Sequence, residues 1–158
     1  MSLRVNYYQQ APGAVQAMMA LEKYLATIAD QPQGLPKTLL ELVKMRVSQL
    51  NRCAFCLDMH SKDSRAAGET EQRLYLLSAW RESPCYTEQE RAALQWAELL
   101  TNLSQTEVSD ACYHEVKQCF SDKQMADLTL AINAINGWNR FCVGLGAEVG
   151  SYQVGQFD

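Results

Sequence analysis

Residues 36–68 read Pro36-KTLLELVKMRVSQLNRCAFCLDMHSKDSRAA-Gly68, and their spacing decides the fold. Leu39, Val43, Val47 and Leu50 recur at steps of four, four and three, which is one apolar stripe on a helix opened by Pro36. Asn51-Arg52 reads as a short turn, and a second helix runs from about Cys53 to Ala67. Gly68 ends it, since glycine accepts the left-handed backbone that closes a helix at no steric cost. Two helices joined by so short a turn lie back to back as a helical hairpin.

The pattern continues in both directions. Ala14 to Ala29 carries Val15, Met18, Met19, Leu21, Leu25 and Ile28 at helical spacing, and the Pro- and Gly-containing run 30–36 breaks it. After Gly68, Glu71 to Arg81 reads as a helix with Leu74, Leu77 and Trp80 on one face. Thr87 with Glu90, and Ser121 with Gln124, are capping boxes in which each cap side chain serves the amide three residues on. Ser109 caps a helix through Cys119. The helix opened by Ser121 carries Met125, Leu128, Ile132, Ile135, Trp138, Phe141 and Leu145, an apolar band wide enough for burial on several sides. Asn136-Gly137 is a place where it could kink, and the Gly-rich tail after Gly146 is expected to be loose. No convincing period-two segment occurs, so the expected class is all-α, one domain over residues 1–158.

Hydrophobic residues make up 47% of the 158 and charged residues 20%, an ordinary globular balance. Apolar runs are short and interrupted, so no membrane span is expected. Met1 to Gln10 lacks the apolar core of an export signal, and a cytoplasmic location is the expectation. The net charge of −4, with no block of Lys or Arg, leaves no electrostatic footprint for nucleic acid. Six cysteines in a reducing compartment point to catalytic or metal-binding thiols before structural disulfides.

The chemistry concentrates in Cys53, Cys56 and His60. At ~100° per residue these three lie within a ~60° sector of one helix. The helix N-terminus favours a thiolate at the first position, and the imidazole one turn on can take the second thiol's proton. A thiolate that attacks a peroxide becomes a sulfenic acid, and a second thiol in reach closes it to a disulfide. That disulfide should be exposed, because an external reductant has to reach it. Glu41 lies at the height of His60 in the expected hairpin and could orient the ring; alternatively it pairs with Lys44 in solvent. Two blander readings stand beside this one. Cys53, Cys56 and His60 could be three zinc ligands, though ligands crowded on one turn splay poorly into a tetrahedron. The thiols could also be inert core residues, the reading taken for Cys112 and Cys119. Cys85 and Cys142 show no evident base nearby, and His114 reads as a surface residue.

Glu41-x11-Cys53-x2-Cys56-x3-His60, with the small polar run to Gly68 and the late helix around residues 132–140, is similar to the pattern of the alkylhydroperoxidase AhpD proteins of the carboxymuconolactone decarboxylase superfamily. The resemblance covers roughly residues 35–145. It implies an AhpD-like helical fold and a thiol peroxidase needing no cofactor and no metal. Its substrate would be a hydroperoxide, and an external dithiol would restore it. It further implies that Cys56 is peroxidatic, that Cys53 resolves, that Glu41 and His60 manage protons, and that the chain forms a homotrimer or homohexamer. The apolar late helix is a second reason to expect copies to share a surface. AhpD itself carries a His between its cysteines, where this chain has Ala54-Phe55. A decarboxylase-like lyase and a non-enzymatic redox sensor are the alternative readings. The helix N-terminus favours Cys53 as the attacking thiol and His60 favours Cys56.

Overall fold

A computed structural model describes residues 3–157, and every element among them is helical. In chain order these are α1 (Tyr7–Gln10), α2 (Pro12–Ile28), α3 (Lys37–Leu50), α4 (Ala54–Ala66), α5 (Glu71–Leu76), α6 (Glu88–Thr101), α7 (Asp110–Lys117) and α8 (Asp122–Leu145), with a 3-10 turn at Leu77–Ala79. The helix expected over 71–81 therefore tightens into a 3-10 turn after Leu76, yet Leu74, Leu77 and Trp80 keep one buried face. The helix expected through Cys119 ends at Lys117, so Cys112 and Cys119 do not share a helical face and both are half-buried. The short helix α1 has no counterpart in the sequence reading.

Helix α3 is the hub. Its Leu39, Leu40, Val43 and Val47 join one core with α2, α6 and α8, while Leu42 and Met45 join a smaller one with Leu74, Leu77, Trp80, Tyr86 and Leu94. Each such side chain taken fully from water contributes roughly 1.5–3 kcal/mol, so a helix buried on both sides is held more firmly than a one-faced amphipathic helix. Pro36 precedes α3 rather than opening it, and its ring offers no cap. Instead the Asp30 carboxylate accepts from the Lys37 amide at 2.9 Å.

The turn between α3 and α4 is a closed helix end. The Cys53 amide donates to the Ser48 carbonyl at 3.0 Å and the Arg52 amide to that of Gln49 at 3.2 Å, with Arg52 left-handed at φ 55°. This is the double hydrogen bond of a Schellman motif, and it sets Cys53 at the N-cap of α4. A buried polar network fastens the turn to α8. The Asn51 amide donates to the side-chain oxygens of Asn136 (2.9 Å) and Asn139 (2.8 Å), and Asn139 donates to Ser48 Oγ (3.1 Å).

Helix α8 runs unbroken through Asn136-Gly137. Asn136 anchors the network instead of breaking the helix, and a Cβ at Gly137 would stand 2.7 Å from Met18 Cε. The flexible end of Met18 from α2 rests over the bare backbone there. Most of the apolar band of α8 packs on α2, α3, α6 and α4 of its own chain, while Trp138, Phe141 and Leu145 are half-buried. The tail is tied down and not loose at Tyr152, which is 3% exposed and donates to Asp63 on α4. Among the described residues no helix is long and apolar enough to cross a membrane.

Candidate functional site

The hairpin of α3 and α4 brings Glu41 to His60, as the rise per residue predicts. Glu41 Oε2 and His60 Nδ1 stand 2.9 Å apart, and Glu41 Oε1 lies 3.4 Å from Lys44 Nζ. Lys44 is not a solvent partner, because its own side chain is 14% exposed and reaches Glu22 at 3.2 Å. Glu22 in turn accepts from Trp138 Nε1 at 3.2 Å. Glu41 thus contacts His60 and Lys44 together, away from solvent, in a polar chain that links α4, α3, α2 and α8.

Burial by itself would raise the Glu41 carboxyl, but the His60 ring and the Lys44 ammonium outweigh it and hold the group down at about 2. Burial would likewise lower Lys44, and Glu41 and Glu22 together raise it. An ionised carboxylate only accepts, so His60 Nδ1 carries the hydrogen it donates. In a neutral ring the lone pair then falls on Nε2, which is buried and has no hydrogen-bond partner. Ser64, one turn further along α4, also has a buried hydroxyl without a partner. A cavity of about 210 Å³ bounded by Lys37, Thr38, Glu41, Ser64 and Glu69 leaves room for water on the Glu41 side.

Cys53 and Cys56 are joined as a disulfide, with Cα atoms 5.4 Å apart. Both are 1% exposed and belong to the main apolar core, contrary to the expected exposure. The reason is their position: the Schellman turn and the asparagine network press the first turn of α4 against α8 instead of leaving it at the surface. Phe55 between them packs partly against the same core. Cys53 makes no side-chain cap bond, so the first-turn amides of α4 have no capping side chain at the end where the sulfurs lie.

One neighbour of the disulfide was not legible in the sequence. Cys142, on the last turn of α8, brings its sulfur within 4.8 Å of those of Cys53 and Cys56. Its thiol is buried, 3.8 Å from the Tyr7 hydroxyl of α1, and burial pushes it above its ordinary value. Nothing in local periodicity signals this, since residue 142 meets residue 53 only through helix packing. The three sulfurs are the one set among the described residues placed to hold a metal ion, and only after the disulfide is reduced. His60, grouped with the CxxC as a zinc ligand in the alternative reading, is outside that set. His114 is exposed, as expected.

Residues 12–99, which include Glu41, Cys53, Cys56 and His60, match the model of the carboxymuconolactone decarboxylase family. The uncharacterized protein YdfG of Bacillus subtilis is 44% identical over 151 residues, spanning 96% of this chain and 99% of that protein. A solved structure from Agrobacterium tumefaciens, of a protein of unknown function suggested to be the antioxidant defence protein AhpD, superposes with a TM-score of 0.87 at 42% identity. The match covers 96% of this chain and all of that one. An uncharacterized peroxidase-related protein from Silicibacter sp. shares the fold at a TM-score of 0.75 and 24% identity, over 90% of this chain and 73% of its own.

Proposed function

The chain belongs to the carboxymuconolactone decarboxylase family and has an AhpD-like fold, and from that premise we propose that it is a cysteine-based peroxidase acting on organic hydroperoxides. The observation that carries this reading is the 2.9 Å contact of ionised Glu41 with His60 Nδ1, which leaves Nε2 as the bare nitrogen one turn after Cys56. In the reduced protein, His60 takes the Cys56 proton. The Cys56 thiolate attacks the distal oxygen of ROOH, the O–O bond breaks, and the alkoxide leaves as ROH with the proton that His60 returns. Cys56 is then a sulfenic acid. The Cys53 thiol attacks its sulfur, water leaves, and the disulfide forms. An external dithiol supplies the two electrons and two protons that reopen it. The apolar surroundings of the two sulfurs favour a hydroperoxide with an apolar body over hydrogen peroxide.

No cofactor or metal enters this cycle, and the reading places the protein in the cytoplasm as a homotrimer or homohexamer. The burial of the disulfide supports a second reading, a redox sensor whose oxidised form is slow to meet a reductant. Stopped-flow oxidation of the reduced protein by cumene hydroperoxide separates the two. The peroxidase reading expects rapid, stoichiometric loss of the Cys53 and Cys56 thiols and repeated turnover with a dithiol. Formation of the disulfide without turnover would leave the sensor. Sedimentation at micromolar concentration tests the assembly, and a clean 18 kDa monomer would remove it.

A further inference from the structure

The three-sulfur cluster contains one thiol that the peroxidase cycle does not use. Cys142 is separated from the CxxC in the chain by α5, α6, α7 and most of α4 and α8, yet its sulfur is within 4.8 Å of both disulfide sulfurs. Cys85, Cys112 and Cys119 have no such placement. Thiol–disulfide exchange requires a thiol within reach of one sulfur and a good leaving group at the other. The second requirement is met unequally here. Both sulfurs sit at the N-terminal end of α4, but Cys56 lies one turn before His60 on the same helical face, where the imidazole can supply its proton as it leaves. Cys53, at the N-cap, is held by the Schellman turn.

We propose that Cys142 is a third redox-active thiol, which attacks the Cys53–Cys56 disulfide at Cys53 and moves the cross-link to Cys53–Cys142. Resting on the dithiol cycle proposed above, it adds a second oxidised form to it. In the step, Cys142 loses its proton and its sulfur bonds to that of Cys53. The electron pair of the old S–S bond leaves on Cys56, which ends protonated or as a thiolate. No electrons enter or leave the three-sulfur set, so no further oxidant is needed. Two consequences follow from the geometry. Cys56 becomes a free thiol again while the protein is still oxidised, and the start of α4 is bolted covalently to the end of α8. Burial holds Cys142 largely in its thiol form, so the rearrangement belongs on the minutes-to-hours scale of uncatalysed exchange.

The test maps disulfides over time. Reduced protein is oxidised in parallel with diamide, which makes disulfides without any peroxidase step, and with one equivalent of cumene hydroperoxide. Samples from seconds to hours are quenched in acid, alkylated and digested with trypsin. Cleavage after Arg52, Lys62 and Arg140 puts Cys53 and Cys56 on peptide 53–62 and Cys142 on peptide 141–158. The proposal expects these peptides to become linked through Cys53 and Cys142, with Cys56 alkylated, in the diamide arm. The linked species should be lost in both Cys142→Ser and Cys142→Ala and retained in Cys119→Ser. A Cys53–Cys56 linkage alone at every time in the diamide arm would overturn it. So would a link through Cys56, which reverses the attacked sulfur. Linkage with diamide but no oxidation by cumene hydroperoxide would leave this inference standing and remove the peroxidase reading instead.

Discussion

Glu41 Oε2 lies 2.9 Å from Nδ1 of His60, across 19 residues of sequence and one helical hairpin. Because the carboxylate is held ionised, the contact fixes which ring nitrogen carries the hydrogen and which is bare. Glu41→Gln keeps the size and removes the charge. On the proposed relay, the variant reacts with cumene hydroperoxide about 100-fold more slowly or worse, the scale of a lost general-base arrangement. Its Cys56 thiolate titration should move to higher pH with the circular dichroism unchanged. Equal rates and titrations in variant and wild type would take Glu41 out of the site.

The same carboxylate makes stability depend on acid. Folding lowers the Glu41 value from its ordinary 4.5 to about 2, so the unfolded chain binds the proton first as pH falls. The contribution is complete above pH 4.5, declines between 4.5 and 2, and is gone below. At ~1.4 kcal/mol per pH unit it is on the order of 3 kcal/mol at neutral pH. Urea midpoints measured from pH 6 to pH 2 should fall across that window in wild type and more shallowly in Glu41→Gln. Parallel curves would contradict the assignment.

The two cysteines have separable fates. Cys56→Ser should consume no peroxide. Cys53→Ser should undergo one oxidation and stop as a sulfenic acid, or a sulfinic acid in excess oxidant. Mass spectrometry of each variant after one equivalent of cumene hydroperoxide reads this directly. An inert Cys53→Ser together with an oxidisable Cys56→Ser would exchange their roles.

The asparagine network should be costly to break. Asn51→Ala removes two donors and strands the Asn139 oxygen in a site 1% exposed. An unsatisfied buried group costs about 1–3 kcal/mol, and a drop of about 2 kcal/mol in urea unfolding is expected. A loss under ~0.5 kcal/mol would show that water replaces the side chain.

Arg52 is the opposite case. It holds a left-handed backbone at φ 55° that glycine adopts freely. Arg52→Gly should raise stability by up to about 1 kcal/mol while keeping Cys53 at the N-cap. Destabilisation on the same assay would mean that the Arg52 side chain supports the turn.

Much of the fold was written locally. The capping boxes at Thr87 and Ser121, the glycine end at Gly68, and the shared sector of Cys53, Cys56 and His60 are properties of single helices. Helical period and backbone hydrogen bonding determine such features within a few residues. Even the meeting of Glu41 with His60 needed only two helix lengths and a short turn. What depended on packing between distant helices was decided by tertiary structure alone. That is why the disulfide is buried and not exposed, why Asn136 anchors a network and does not kink α8, and why Tyr152 ties the tail to α4. It is also why Cys142, which has no evident base near it in the sequence, stands beside the CxxC. Periodicity tells a helix which face to bury, but not which other helix will cover it, because many partners satisfy the same apolar stripe. Shape at close range makes that choice, as where the bare Gly137 admits Met18.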